Sequence, residues 1–194
     1  EDNRSFLQLQ FVPGKTIKQL VEEKRYGNLT AFFSVSIQLL TALEEMHQEI
    51  PGSKEALIHN DLNPSNIILN EIIQNEVEPK IIDFGESGKI GIGPLCGTLK
   101  YVSQALIVGS ELNYCYQGDL YSVALTLIEW LTGICPTNEN SGTPDIDEIE
   151  KILKLWVDKQ EISNSDNKVE FCANLNAWFN KMLEQDEVKW FESS

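Results

Sequence analysis

The chain has 194 residues, 42% hydrophobic and 23% charged, which is enough apolar material for one sizeable core. Asp and Glu number 30 against 15 Lys and Arg, a net charge of −15 that argues against nucleic acid as a direct partner, because phosphate recognition needs basic patches. The longest apolar runs stop well short of the ~18 residues of a membrane span and no signal peptide opens the chain, so no membrane partner is expected. The acid is spread over Glu44–Glu45, Glu71–Glu78, Asp145–Glu150 and Glu184–Glu187, which reads as solvated faces; a basic peptide substrate is the sharper alternative. Cys96, Cys115, Cys135 and Cys172 are far apart and lack paired metal spacing, as expected of small buried hydrophobes in a reducing, cytoplasmic compartment.

In chain order, residues 5–12 read as a strand closed by a Pro13–Gly14 turn. Ile17 to Glu23 reads as a short helix. Thr30 to His47 reads as a longer one, with Phe33, Val35, Leu39, Leu40 and Leu43 at roughly helical spacing. Gly52–Ser53 marks a loop, Ala56–Ile58 and Ile67–Leu69 read as short strands, and another starts at Ile81–Ile82. Five glycines between residues 84 and 97 predict a flexible loop. Leu120 to Thr132 is the most apolar helix, expected to be buried on all sides and ended by Gly133 and Pro136. Asp145 to Val157 is amphipathic, with Ile146, Ile149, Ile152, Leu153 and Trp156 on one face. Glu161–Lys168 reads as a polar linker before a last helix, Val169 to Leu183.

The chemistry concentrates in His59-Asn60-Asp61-Leu62-Asn63-Pro64-Ser65-Asn66, followed seventeen residues beyond Asn66 by Asp83-Phe84-Gly85. Phosphoryl transfer needs one carboxylate at the acceptor hydroxyl, and an amide plus a second carboxylate that hold magnesium against the phosphates. Two short strands between Asn66 and Asp83 would make a hairpin that sets both metal ligands side by side.

These two runs, in this order and at this separation, resemble the catalytic loop and magnesium loop of eukaryotic-type serine/threonine protein kinases. The resemblance implies Asp61 as catalytic base, Asn66 as a catalytic-loop magnesium ligand and Asp83 as the main magnesium ligand. It extends to LQFVPGKTI at residues 9–17, similar to the strand end and hinge that bind adenine: Leu9 as gatekeeper, Gln10, Phe11 and Val12 as hinge, with Ile68 beneath the ring. Gly97-Thr98-Leu99-Lys100-Tyr101 resembles the end of the activation segment. Asp119-Leu120-Tyr121-Ser122 resembles the start of the buried central helix, whose Asp braces the catalytic loop. His59 reads as a packed structural histidine. The implied fold is the large lobe of a kinase over residues 1–194, mainly α with a small β-hairpin sheet at the nucleotide cleft, residues 1–16 supplying the last small-lobe strand and hinge. ATP and Mg2+ are the implied cofactors, and a protein with a Ser or Thr acceptor the implied substrate. The small lobe, with its glycine-rich loop and strand lysine, is not found in these residues. The resemblance therefore implies a piece of a longer protein, inactive by itself.

Besides the missing small lobe, the chain departs from the family pattern in three ways. Asn63 stands where a lysine usually neutralises the transferring phosphoryl group, with Lys100 a candidate substitute cation. Asn60 stands where an arginine usually pairs with a phosphorylated activation segment, and only Ser87 offers a hydroxyl between Gly85 and Gly97. Ser103-Gln104-Ala105 replaces Ala-Pro-Glu, and Trp190 stands at the distal arginine's place, so both halves of a buried ion pair are exchanged together. Tyr101-Val102-Ser103 through Gly109 resembles the casein-kinase pattern. These departures leave two alternatives: a pseudokinase binding or scaffolding module, and a small-molecule kinase of the aminoglycoside or choline type.

Overall fold

A computed structural model describes residues 9–48, 56–71, 77–137, 144–162 and 165–184, and its elements are arranged around α3 (Tyr116–Thr132). Eleven of the 17 residues of α3 are buried, from Asp119 to Leu131, so the helix is enclosed as its composition predicts. It begins one turn earlier than Leu120, because the polar Tyr116-Gln117-Gly118 turn carries no apolar signal. Gly133 ends it in the left-handed region at φ 75°, its N–H donating to the Glu129 carbonyl at 2.8 Å.

Four helices pack around this trunk. α1 (Ile17–Glu22) starts in a capping box: the Thr16 side chain accepts from the Gln19 N–H, and the Gln19 side chain accepts from the Thr16 N–H. α2 (Leu29–His47) is capped by Asn28 and buries Phe32, Val35, Leu39 and Leu43. Its buried face is therefore set by Phe32; Phe33, expected inside, is half-exposed. α4 (Ile146–Asp158) is capped by Asp145 and buries Ile149, Ile152, Leu153, Trp156 and Val157, while Ile146 at its first turn stays exposed. α5 (Ser165–Leu183) starts inside the expected linker. Its polar first turn, with Asp166 at the positive end of the helix dipole, is good helix-start chemistry that polarity alone hides. Phe32 joins three helices, its ring meeting Trp156 at 6.3 Å, Trp178 at 5.8 Å and Phe179 at 6.1 Å.

Two small antiparallel sheets complete the fold. In the first, β1 (Lys15–Thr16), β2 (Ile67–Glu71) and β3 (Val77–Ile81) lie in the order β1-β2-β3. The β2–β3 hairpin is the expected one, with Ile67 opposite Ile81 and Leu69 opposite Pro79. However, β3 ends at Ile81 rather than starting there: β3 is an edge strand, where Pro79 is tolerated, and pairing with β2 outweighs its polar sequence. The second sheet has the order β4-β6-β5, from β4 (Gly91–Pro94), β5 (Ile107–Val108) and β6 (Glu111–Tyr114). β4 thus corrects the flexible loop expected over residues 84–97. Three of the glycines there serve close packing: a Cβ on Gly88 or Gly93 would meet the Tyr114 ring, and one on Gly97 the Asn60 carbonyl.

Residues 9–12 form no strand, since β1 begins at Lys15; the rest of the expected strand over 5–12 lies outside the described residues. Of Ala56–Ile58 only Ile58 pairs, in an isolated bridge to Gly88. Gly52–Ser53 and Trp190 also lie outside the described residues.

Candidate functional site

The loop after Ile58 is anchored from beneath by α3. Asp119, buried in the first turn of α3, accepts the His59 N–H at 2.9 Å on Oδ2 and the Asn60 N–H at 3.0 Å on Oδ1. His47 Nε2, from the end of α2, lies 2.9 Å from the same Oδ2. Cys115, not Asp119, is the N-cap of α3, so Asp119 acts as a brace and not as a helix cap. The brace holds Asn60 in the left-handed region at φ 65°, a conformation asparagine tolerates better than most residues.

His59 is fully buried. Its Nδ1 accepts the Asp61 N–H at 3.3 Å, which leaves Nε2 as the protonated nitrogen that donates to the Ile82 carbonyl at 3.1 Å. Its ring lies 4.9 Å from that of Phe84. One imidazole therefore ties the 59–66 loop to the 82–85 loop and is committed to packing, as expected.

The Asp61 carboxylate is held by neutral donors on both oxygens. Oδ1 accepts the Thr98 N–H and the Thr98 hydroxyl, each at 2.8 Å, and the Asn63 amide at 3.0 Å. Oδ2 accepts the Asn66 amide at 2.9 Å. Asn63, buried, also reaches the Thr98 hydroxyl at 3.2 Å, and its own Oδ1 accepts the Ser65 N–H at 2.8 Å. Lys100 is not among the hydrogen-bond partners of Asp61. Sequence reading located Asp61, Asn63 and Asn66 but missed Thr98 as a partner of the carboxylate; the Gly97-Thr98 pair was its only trace.

Asn66 turns its side-chain nitrogen to Asp61, donating to the Asp61 main-chain carbonyl at 2.8 Å as well as to Oδ2, so the side-chain Oδ1 of Asn66, distinct from its main-chain carbonyl, remains for another partner. The Ile82 N–H donates to the Asn66 carbonyl at 3.0 Å, which places Asp83 one residue from this contact. Asp83 is exposed and left-handed at φ 62°, with Oδ1 accepting the Gly85 N–H at 3.3 Å. One carboxylate and one amide oxygen are hard oxygen donors that suit Mg2+, an ion that fills its remaining positions with water and phosphate oxygens. No cluster of three or more His, Cys, Asp or Glu side chains stands ready for a metal among the described residues.

Of the expected adenine contacts, Ile68 is half-buried in β2, opposite Lys80 and Thr16, and the Gly14 backbone lies against it: a Cβ on Gly14 would come within 2.9 Å of Ile68 Cγ2. Leu9 and Phe11 are largely exposed, and Gln10 and Val12 share their strandless segment. Of the segment 9–14, Gly14 is thus brought against Ile68, beside β1 of the first sheet. A larger cavity of about 1370 Å³, lined by Lys15, Arg25, Asn28, Leu69 and Trp130 among others, holds none of Asp61, Asn66 or Asp83.

Residues 1–190 match the protein kinase domain model, and the chain belongs to the protein kinase domain family. It is 29% identical, over its whole length, to a probable serine/threonine-protein kinase of Clostridium perfringens, and covers 26% of that protein. It is 31% identical over 73% of its length to the serine/threonine-protein kinase pkn3 of Myxococcus xanthus, again covering 26% of the relative. Serine/threonine-protein kinase C of a Synechocystis strain is 30% identical over 68% of the chain, which covers 24% of it. The chain spans about a quarter of the length of these curated relatives.

Proposed function

We propose that this chain is the large lobe of an ATP- and Mg2+-dependent protein kinase that phosphorylates a serine or threonine hydroxyl, with residues 1–16 as last small-lobe strand and hinge. The observation that carries this reading is the Asp61 carboxylate, oriented by Thr98, Asn63 and Asn66 beside the 82–85 loop. In this reading Asp61 accepts the proton of the acceptor hydroxyl and aligns it for in-line attack. Asn66 and Asp83 would hold Mg2+, which supplies charge neutralisation on the phosphates. Leu9, Gln10, Phe11, Val12 and Ile68 would line the adenine position. Positioning carries most of phosphoryl-transfer catalysis, so a base fixed by four hydrogen bonds is the group on which turnover depends.

The test is transfer of labelled γ-phosphate to a generic basic protein by the full-length protein. Asp61→Asn should abolish transfer and leave Mg-ATP affinity within about threefold, since the side chain acts on the acceptor rather than on the nucleotide. Full transfer by Asp61→Asn would remove the assignment. A second reading, a pseudokinase module, is favoured by one observation: the buried Asn63 brings a neutral amide to Asp61 and Thr98 where a cation serves the phosphoryl group in the family. Full-length protein that binds Mg-ATP and never transfers phosphate would select that reading.

A further inference from the structure

The segment from Glu86 to Gly97, which links the proposed magnesium loop to the Thr98 that orients Asp61, is tied down by neutral groups at residues 86, 87, 88, 91–94 and 97. The Asn60 amide donates to the Glu86 carbonyl at 3.1 Å. Ile58 and Gly88 exchange two backbone hydrogen bonds, at 2.8 and 2.9 Å. Residues 91–94 form β4 and pair with all of β6. Gly97, at φ 82°, lies so close to the Asn60 carbonyl that a Cβ would meet its oxygen at 2.4 Å. Ser87, the only hydroxyl in the segment, is half-buried and donates to the His59 carbonyl at 3.4 Å.

One side chain touches this segment at four residues. The Tyr114 ring, at the end of β6, occupies the space of the missing side chains of both Gly88 and Gly93: a Cβ on either would come within 2.6 Å of the ring. Neither glycine has a positive φ, so what each supplies is room, not backbone freedom. The Tyr114 hydroxyl donates to the Pro94 carbonyl at 3.0 Å and lies 3.3 Å from Cys96 Sγ. The ring thus bridges residues 88, 93, 94 and 96 from an element rooted on α3 through Cys115.

We propose that Tyr114 is a positioning residue that holds the 86–97 segment, and through it Thr98 and Asp61, in working order without any phosphorylated side chain. It touches neither nucleotide nor acceptor. Its kinetic consequence rests on the kinase reading above; its structural consequence does not.

The experiment is hydrogen exchange on the full-length protein, paired with steady-state kinetics. In Tyr114→Leu, exchange over 86–97 should rise by about tenfold or more, with α3 amides unchanged, because the segment then opens locally rather than with the whole fold. Turnover of a protein substrate should fall about tenfold while KM for Mg-ATP moves less than about threefold, the pattern of a misplaced acceptor side. Tyr114→Phe keeps the ring and should stay within about threefold of wild type in both readouts. Gly93→Ala should reproduce Tyr114→Leu, yet add little in a Tyr114→Ala background, because both changes act on one contact. Wild-type exchange over 86–97 in Tyr114→Leu, or in Gly93→Ala should the first variant not fold, overturns the proposal. So does phosphatase treatment of wild type that raises exchange to the Tyr114→Leu level. If no phosphate transfer is seen in wild type, the exchange arm still decides the clamp, and only the kinase reading fails.

Discussion

Asp119 shows how one buried carboxylate can set a loop. Both oxygens are used on consecutive N–H groups, so the loop cannot rotate without breaking both bonds. Asp119→Ala leaves two donors without partners and should lower stability by about 1–3 kcal/mol, measured as a shift in the urea midpoint at unchanged slope. Burial also raises the Cys96 thiol above its ordinary value, with Glu86 adding to the effect and the Tyr114 hydrogen bond opposing it. The thiol therefore stays protonated at neutral pH, and iodoacetamide should modify Cys96 more slowly than free cysteine. Asp61, Asn66 and Asp83 stood out in the sequence because their types and spacing are those phosphoryl transfer would need, and Asp119 through the resemblance of its run to the start of the family's central helix. Thr98 was not, because it acts across 37 positions and a lone hydroxyl carries no periodic signal. Tyr114 was silent for a similar reason: its partners are glycines and carbonyls, and nothing in a one-dimensional pattern marks a ring that fills their space.

At the scale of elements, the helices were read well where an apolar face recurs at 3.6 residues, and boundaries failed where polar first turns hide the start, as at Tyr116 and Ser165. The choice between Phe32 and Phe33 could not be made from spacing, since adjacent aromatics differ by only ~100° around the helix. The structure settles it through Trp156, Trp178 and Phe179. Phe32→Ala should cost about 3–5 kcal/mol, whereas Phe33→Ala should cost less, the contrast being read from paired thermal melts. The second sheet was missed because a glycine-rich run reads as flexible, while here Gly93 sits in a strand because the Tyr114 ring leaves no room for a side chain, and Gly91 supplies a φ of 139°. Gly133 makes the opposite case, a glycine that sequence did assign. Gly133→Ala forces a β-carbon into the left-handed region, costing about 1–2 kcal/mol, and also drives it to within 2.6 Å of the Tyr26 ring.

At the scale of the molecule, one principal core runs from Ile17 to Leu183, with a smaller cluster of Ile58, Val102, Leu106, Leu112 and Tyr114 beneath the 86–97 segment. Three tyrosines within these clusters should set the alkaline limit of stability. Burial and Cys96 push the Tyr114 hydroxyl from 10.0 up to about 12, and burial raises Tyr101 and Tyr121 as well, Tyr101 also through its hydrogen bond to Glu129. A group whose folded value is raised ionises first in the unfolded chain. Each contribution is therefore complete below pH 10.0; that of Tyr114 is lost as pH rises through about 12, and those of Tyr101 and Tyr121, raised further, extend over a wider range above pH 10.0. Denaturant midpoints should be flat with respect to these groups up to pH 10.0 and fall above it, in step with phenolate absorbance. If the site binds nucleotide as proposed, Mg-ATP at 100 times its Kd should stabilise the full-length protein by about 2.7 kcal/mol, and Asp83→Ala should abolish that thermal shift.

The central place of α3 has a consequence for how the protein is made. During synthesis α2 and α3 leave the ribosome long before their covering partners, because α5 ends 51 residues after α3, from Thr132 to Leu183. At ~5–20 residues per second the Phe32 ring waits roughly 3–10 seconds after α3 is complete for the last of its ring partners on α4 and α5. Through that interval α1, α2 and α3 can pack on one another, but the Phe32 ring lacks Trp156, Trp178 and Phe179. A holding chaperone would meet it there, and released chains truncated at Thr137 should be retained by such a chaperone while chains that include Leu183 are let go.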